Sequence, residues 1–235
     1  MSSISLVSRL VDFIAPRRCA MCGRRLAVSE NVICNVCQFH LPRTLYSATP
    51  YDNEMARLFY YLMPIERAAA WFFYEPASAP GNIIYRLKYG GQMYTGSDIG
   101  AMMAQEMAVD NFFDGIDIIV PVPLSKRRYR ERGYNQSREI ARGVSRVTGL
   151  PLAGNIITRR YTGLNNVSLH GRWWRAENVD GVFSLTDPST LHGKHILIVD
   201  DVVTTGATIL SLCTEIMSHA AGVRFSVLSI GFTKV

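Results

Sequence analysis

A chain of 235 residues can bury a substantial core, and domain sizes of about 100 to 200 residues allow one domain with a smaller appendage. Hydrophobic residues make up 48% and charged residues 19%, with no low-complexity tract or internal repeat, which excludes disordered and repeat architectures. The net charge of +6 suits an anionic ligand, either a phosphorylated small molecule or a nucleic acid.

The stretch "ISLVSRLVDFIAP" puts Leu6, Leu10, Phe13 and Ile14 near one helical face and breaks at Pro16. It is too short to span a bilayer, so no transmembrane segment is expected. It reads as an amphipathic helix docked on the protein's own core, with a peripheral membrane contact as the alternative. No cleavable signal precedes the cysteines, which places the protein in the cytoplasm.

"CAMCGRRLAVSENVICNVC" holds two C-x-x-C pairs, Cys19/Cys22 and Cys34/Cys37, separated by eleven residues. Each pair turns two thiolates toward one point, and two pairs complete the tetrahedral shell of a structural zinc ion. Two disulfides, four unrelated thiols or a redox pair fit the paired spacing and the cytoplasmic setting less well. Four sulfur ligands leave no open position, so the metal would be a fold element or a docking surface. His40 follows Cys37 closely but reads as a surface histidine.

A proline-punctuated join at 42 to 50 divides an N-terminal module, 1–48, from a larger domain, 49–235. A helix-prone stretch and the aromatic strand "AAAWFFYEP" come next. Helices are expected in "GNIIYRLKYGG" to about Tyr89 and over 96–109, then a strand "DIIVPVP" at 117–123. A further helix covers about 136–148. It is followed by "NIITRR", a strand "HILIVDD", a helix over about 206–220 in which Cys213 is core, and a strand "RFSVLSIGF". Short apolar β-branched runs alternating with helices indicate an α/β fold with a mostly parallel sheet covered on both faces.

In such sheets ligands sit beyond the carboxyl ends of the strands, and "HILIVDDVVTTGATI" places Asp200 and Asp201 at one of those ends. The small, hydroxyl-bearing residues that follow lead directly into a helix. Backbone N–H groups of Thr204, Thr205, Gly206, Ala207 and Thr208 can therefore curl around a phosphate. Carboxylates that accept from vicinal hydroxyls, followed at once by a phosphate loop, fit a ribose 5-phosphate.

"ILIVDDVVTTGAT" closely resembles the signature of type I phosphoribosyltransferases, which hold 5-phosphoribosyl 1-pyrophosphate (PRPP) with Mg²⁺. The resemblance implies a PRPP site of Asp200, Asp201, Val202, Val203, Thr204, Thr205, Gly206, Ala207 and Thr208. In it the aspartates take the ribose 2′- and 3′-hydroxyls and residues 204 to 208 the 5′-phosphate. The order of the four-cysteine module, "RLKYGG", "IVPVPLSKRRYRERGYNQ" and "RAENVDGVF" is similar to the ComF competence-protein family. That likeness implies a link to DNA uptake in natural transformation. Two functions follow: Mg²⁺-dependent phosphoribosyl transfer, or an accessory protein that senses PRPP or attends single-stranded DNA and docks a helicase.

The leaving pyrophosphate needs cations, for which Lys88 with Lys126, Arg127 and Arg128 are the candidates. The run "SKRRYRER" reads equally as a solvated or nucleic-acid-binding face. Purine-specific members of the superfamily usually carry an aspartate where Thr204 stands, so purine salvage is disfavoured. Tyr161, Trp173 and Trp174 suggest stacking or local packing, and Asn165 and Asn166 replace a glutamine that ComF proteins often carry; no role is carried to them.

Overall fold

The computed structural model describes residues 16–90, 93–160 and 182–234. The expected N-terminal amphipathic helix, and Tyr161, Asn165, Asn166, Trp173 and Trp174, lie outside the described residues. Among the described residues no helix is long and apolar enough to cross a membrane.

The centre of the molecule is a four-stranded parallel sheet formed by β1 (Ile65–Phe73), β2 (Ile118–Pro121), β5 (His195–Val203) and β6 (Arg224–Phe232), in the order β1-β6-β5-β2. Strands β5 and β6 are central because their sequences tolerate water on neither face. From Phe225 to Phe232 every residue of β6 is buried, as are the first five residues of β5. Near-continuous apolar runs of this kind mark parallel sheets flanked by helices. The polar exceptions are satisfied internally, since the His195 ring lies 2.9 Å from the Ser226 hydroxyl and 3.1 Å from the Gly115 carbonyl. Burial lowers the pKa of His195, keeping it neutral. The α/β, mostly parallel reading is therefore observed.

Seven α-helices are present among the described residues: α1 (Asn35–Phe39), α2 (Glu54–Arg57), α3 (Gly81–Tyr89), α4 (Met93–Ala108), α5 (Lys126–Arg132), α6 (Gln136–Thr148) and α7 (Ala207–His219). Helix α7 buries Ile209, Leu212, Cys213 and Ile216, which agrees with a core role for Cys213. Helix α6 starts where the Asn135 side chain accepts from the Ser137 N–H at 3.1 Å, and ends at Gly149, whose φ is +74°. These two caps fix its register between sequence signals.

Strands β3 (Ile157–Arg159) and β4 (Phe183–Leu185) form a separate antiparallel pair. The stretch "NIITRR" thus leaves the main sheet. Its partner β4 is tied to α7 by the Leu185 N–H, which donates to Glu215 at 3.3 Å.

The proline-rich join is pressed along the edge of β1. The Thr44 N–H donates to Trp71 O at 3.3 Å, the Phe73 N–H to Pro42 O at 2.9 Å and the Ala68 N–H to Pro50 O at 2.9 Å. Leu41 and Tyr46 are buried in the same core as the strands. The N-terminal module and the larger domain therefore share one continuous packed interior.

Helices α4 and α6 cross at backbone contact through Gly100 and Gly143. A Cβ on Gly143 would fall on the Ser97 carbonyl oxygen, and one on Gly100 on that of Ile140. Both obstacles are main chain and cannot swing aside. Gly143→Ala should lower stability by about 1–3 kcal/mol in urea denaturation. Gly154→Ala, where a Cβ meets nothing within 4 Å, should stay within about 0.5 kcal/mol of the parent. Equal midpoints for the two variants would contradict the close crossing.

Candidate functional site

At the carboxyl end of the sheet lies a cleft of about 260 Å³, bordered by Tyr74 beyond β1, Pro123 and Leu124 beyond β2, and Asp200 and Asp201 of β5. Helix α3 contributes Lys88, α5 contributes Arg128 and Arg132, the start of α6 contributes Gln136 and Ser137, and β3 contributes Arg159. The ends of three parallel strands thus meet where such folds bind ligands. Among the described residues, four cationic side chains and two carboxylates line the cleft.

The two aspartates are held differently. Asp200 Oδ1 accepts from the Ser137 hydroxyl at 2.9 Å and from the Asp201 N–H at 2.8 Å. Burial, and then the neighbouring Asp201 charge, push Asp200 up to about 7, against the pull of those hydrogen bonds and of Lys88. Asp201 Oδ2 lies 3.0 Å from Lys88 Nζ, and its Oδ1 accepts from the Val202 N–H at 2.7 Å.

Beyond β5 the chain turns through Thr204, Thr205 and Gly206 into α7. Gly206 is required twice: its φ is +73°, and a Cβ there would stand 2.7 Å from Phe59 Cε1. Val202, Thr204 and Thr208 line the cleft, whereas Val203 is buried and pairs with Phe232. Thr205, Gly206 and Ala207 form the turn without bordering the cleft.

The basic run divides. Arg128 reaches the cleft, as does Lys88. Lys126 lines an adjacent cleft, and Arg127 pairs with Glu131 at 2.9 Å and borders neither. Ser137, Arg132 and Arg159 escaped notice in the sequence. Ser137 sits 63 positions from Asp200, a separation that carries no local pattern. Arg159 merely ends a short apolar run. Burial, and then Arg128, lower the pKa of Arg159, which records the crowding of cations around this cleft.

The ligand atoms of Cys19, Cys22, Cys34 and Cys37 lie within 4.8 Å of one another. Tetrahedral zinc with Zn–S bonds of about 2.3 Å would set its sulfurs about 3.8 Å apart, and Cys22 Sγ is 3.9 Å from Cys34 Sγ. The N–H groups of Cys22 and Cys34 point at Cys19 Sγ at 3.5 and 3.3 Å, and that of Cys37 points at Cys34 Sγ at 3.4 Å. Burial opposes ionisation of Cys34, but the Cys37 N–H and Arg24 hold its thiol down to about 6; burial and the other thiols push Cys37 up. The donor set fits a closed structural metal site, and His40 is exposed outside it. Buried Glu30 braces the module by accepting from the Ala27 and Asn35 N–H groups at 2.7 and 2.8 Å and from Arg24 at 2.7 Å.

No family model matches the chain. It is similar to DNA utilization protein YhgH of Escherichia coli (strain K12), 28% identical over 216 residues covering 88% of this chain and 93% of that protein. It is also similar to Competence protein F of Haemophilus influenzae, 25% identical over 208 residues, 82% of this chain and 87% of that protein. Competence protein ComFC of Bacillus subtilis is 32% identical over 92 residues, 39% of this chain and 35% of that protein. The likeness to ComF competence proteins expected from the order of motifs is met by relatives that match nearly end to end.

The raised pKa of Asp200 has a thermodynamic signature. A carboxyl group whose folded pKa stands above its unfolded value favours the folded state at low pH, and that contribution is lost as pH rises from about 4 through about 7. Asp200→Asn should therefore raise Tm at pH 8, by about 2–4 °C for each kcal/mol of relieved charge. The gain should shrink below pH 7 and vanish near pH 4. A variant less stable than the parent at pH 8 would contradict this account.

Proposed function

We propose that the protein binds PRPP with Mg²⁺ in the cleft at the end of β5, acts in DNA uptake or utilisation, and uses a structural zinc ion in its N-terminal module. The observation that carries the PRPP reading is the pair Asp200 and Asp201, followed at once by a Gly206-centred turn into a helix and surrounded by Lys88, Arg128, Arg132 and Arg159. Neighbouring carboxylates accept from two vicinal hydroxyls. At the two ends of the turn, Thr204 and Thr208 would offer their N–H groups and hydroxyls to a 5′-phosphate. Lys88 and Arg128, which line the cleft, would take the pyrophosphate, while the Ser137 hydroxyl donates to Asp200.

The carboxylates of Asp200 and Asp201 suit a hard, oxygen-preferring cation and would face Mg²⁺ arriving with the ligand. Bound Mg²⁺ supplies neutralisation of the developing pyrophosphate charge. Four cationic groups stabilise the same charge from the protein side. Phosphoribosyl transfer is therefore the reaction class that the cleft suits. The names of the relatives support the role in DNA utilisation and competence.

A second reading, an accessory factor that binds single-stranded DNA and docks a helicase through the zinc module, is favoured by the exposure of Lys126, Arg127 and Arg130 on α5.

Calorimetry with PRPP and Mg²⁺ should show binding by the parent and its loss in the Asp200→Asn/Asp201→Asn double variant. Unchanged affinity in the folded double variant would overturn the PRPP reading. Pyrophosphate release in the presence of nucleosides, amines or oligonucleotides would separate the enzyme from the accessory factor.

Zinc should be stoichiometric in protein prepared without chelator, measured by elemental analysis. Cys34→Ser should lose the metal and loosen the module to proteolysis while PRPP affinity survives.

A further inference from the structure

Helix α5 is a cationic ridge between two clefts. Positions two apart on a helix point about 200° apart, and positions four apart point the same way. Arg128 and Arg132 accordingly line the first cleft, and Lys126 and Arg130 line the second. Arg127 and Glu131 neutralise each other in a third direction. The second cleft is larger, about 700 Å³, and shares the wall of Pro123, Leu124 and Arg159 with the first. Among the described residues no ion-pair partner is present for Lys126, Arg130 or Arg159, and Arg138 meets only the neutral Asn155 side chain at 2.6 Å. The acidic residue in the second cleft, Glu139, is already paired with Arg142 at 2.6 Å. Tyr129, with a half-exposed ring, completes the wall on the α5 side. A cavity within the usual size range for small-molecule sites, bearing unanswered guanidinium groups and an aromatic face, is built for a phosphate attached to a planar ring system.

We propose that this second cleft binds a nucleotide alongside the ligand of the first cleft, its phosphate on Arg130, Lys126 and Arg138 and its base against Tyr129. The site names the class of co-ligand for the PRPP reading and rests on that reading only for the identity of its neighbour. Arg159 lines both clefts, with its guanidinium 5.5 Å from the centre of the Phe183 ring.

The probe is dAMP, titrated calorimetrically into the full-length zinc-loaded protein with and without saturating PRPP and Mg²⁺. Binding should persist when PRPP is saturating. Arg130→Glu should weaken dAMP by about tenfold or more, with PRPP affinity changed by less than about twofold because the two clefts lie on opposite sides of α5. Arg130→Lys should restore most of the loss, and deoxyadenosine, which lacks the phosphate, should bind about tenfold more weakly than dAMP. Competition between dAMP and PRPP, or indifference of dAMP to Arg130→Glu, would overturn the proposal. So would Arg130-dependent binding of a single-stranded oligonucleotide by protein that ignores dAMP, since that result assigns the cleft to a strand. Arg130-dependent dAMP binding without any PRPP binding would sink the reading of the first cleft and leave the second standing.

Discussion

Two adjacent carboxylates at the end of a water-excluding strand are the constraint to which the surrounding structure answers. Like charges so placed repel strongly unless neighbours answer them. The answers come from three directions: the Ser137 hydroxyl and the Asp201 N–H on Asp200, and Lys88 on Asp201. Each fixes a piece of the fold. Ser137 requires α6 to begin directly over β5. That start is fastened by the Asn135 amide, which donates to the Val122 carbonyl at 3.0 Å beyond β2. Lys88 requires the last turn of α3 to stand over the same strand end, where the Tyr134 hydroxyl donates to the Leu87 carbonyl. The residual mismatch, visible in the raised pKa of Asp200, is the kind of stored electrostatic strain that a bound cation or polyol hydroxyl relieves.

What could be read from the sequence was whatever is encoded locally. The helix expected at 136–148 is found at Gln136–Thr148, because an Asn cap and a Gly stop bracket an apolar periodicity. The strands expected around "DIIVPVP" and "HILIVDD" are found at Ile118–Pro121 and His195–Val203, and the four cysteines converge as their spacing required. The separate pairing of β3 with β4 was not legible, since neither three-residue run says which partner it will take. The division of the basic run was equally hidden. Charge composition marks "SKRRYRER" as cationic, yet only its folding into α5 sends alternate residues to different clefts. Arg159 joins the site from β3, a placement fixed by sheet pairing rather than by any motif.

The N-terminal module touches α3, the helix that carries Lys88. Asn82 on that helix donates to the Met21 carbonyl at 3.1 Å, and a Cβ on Gly23 would stand 3.6 Å from the Arg86 guanidinium. Lys88 lies on the same helix, two residues beyond Arg86. On the other side of the module, Arg43 makes a two-pronged contact with Glu106 at 2.8 Å for each arm, and the Trp71 indole N–H donates to the same carboxylate at 2.9 Å. Burial would raise the pKa of Glu106, but these partners hold it below its ordinary range. A planar fork on a carboxylate is directional as well as strong. It orients the join against α4 and β1 in a way that apolar contact alone would not.

The order of the strands bears on how the chain must come together. β6 hydrogen-bonds to both β1 and β5, and among the described residues β1 takes its place in the sheet through β6, across more than 150 residues of sequence. During synthesis the apolar ribbon from Ala68 to Phe72 therefore emerges long before its neighbour exists. The join along its outer edge is the shelter available to it meanwhile. Contacts between strands so distant in sequence close slowly, because the intervening loop must be ordered before any pairing is gained. The sheet can become complete only after Phe232 has left the ribosome. Premature termination anywhere before β6 would leave β1 exposed as a sticky edge, a natural substrate for chaperones and proteases.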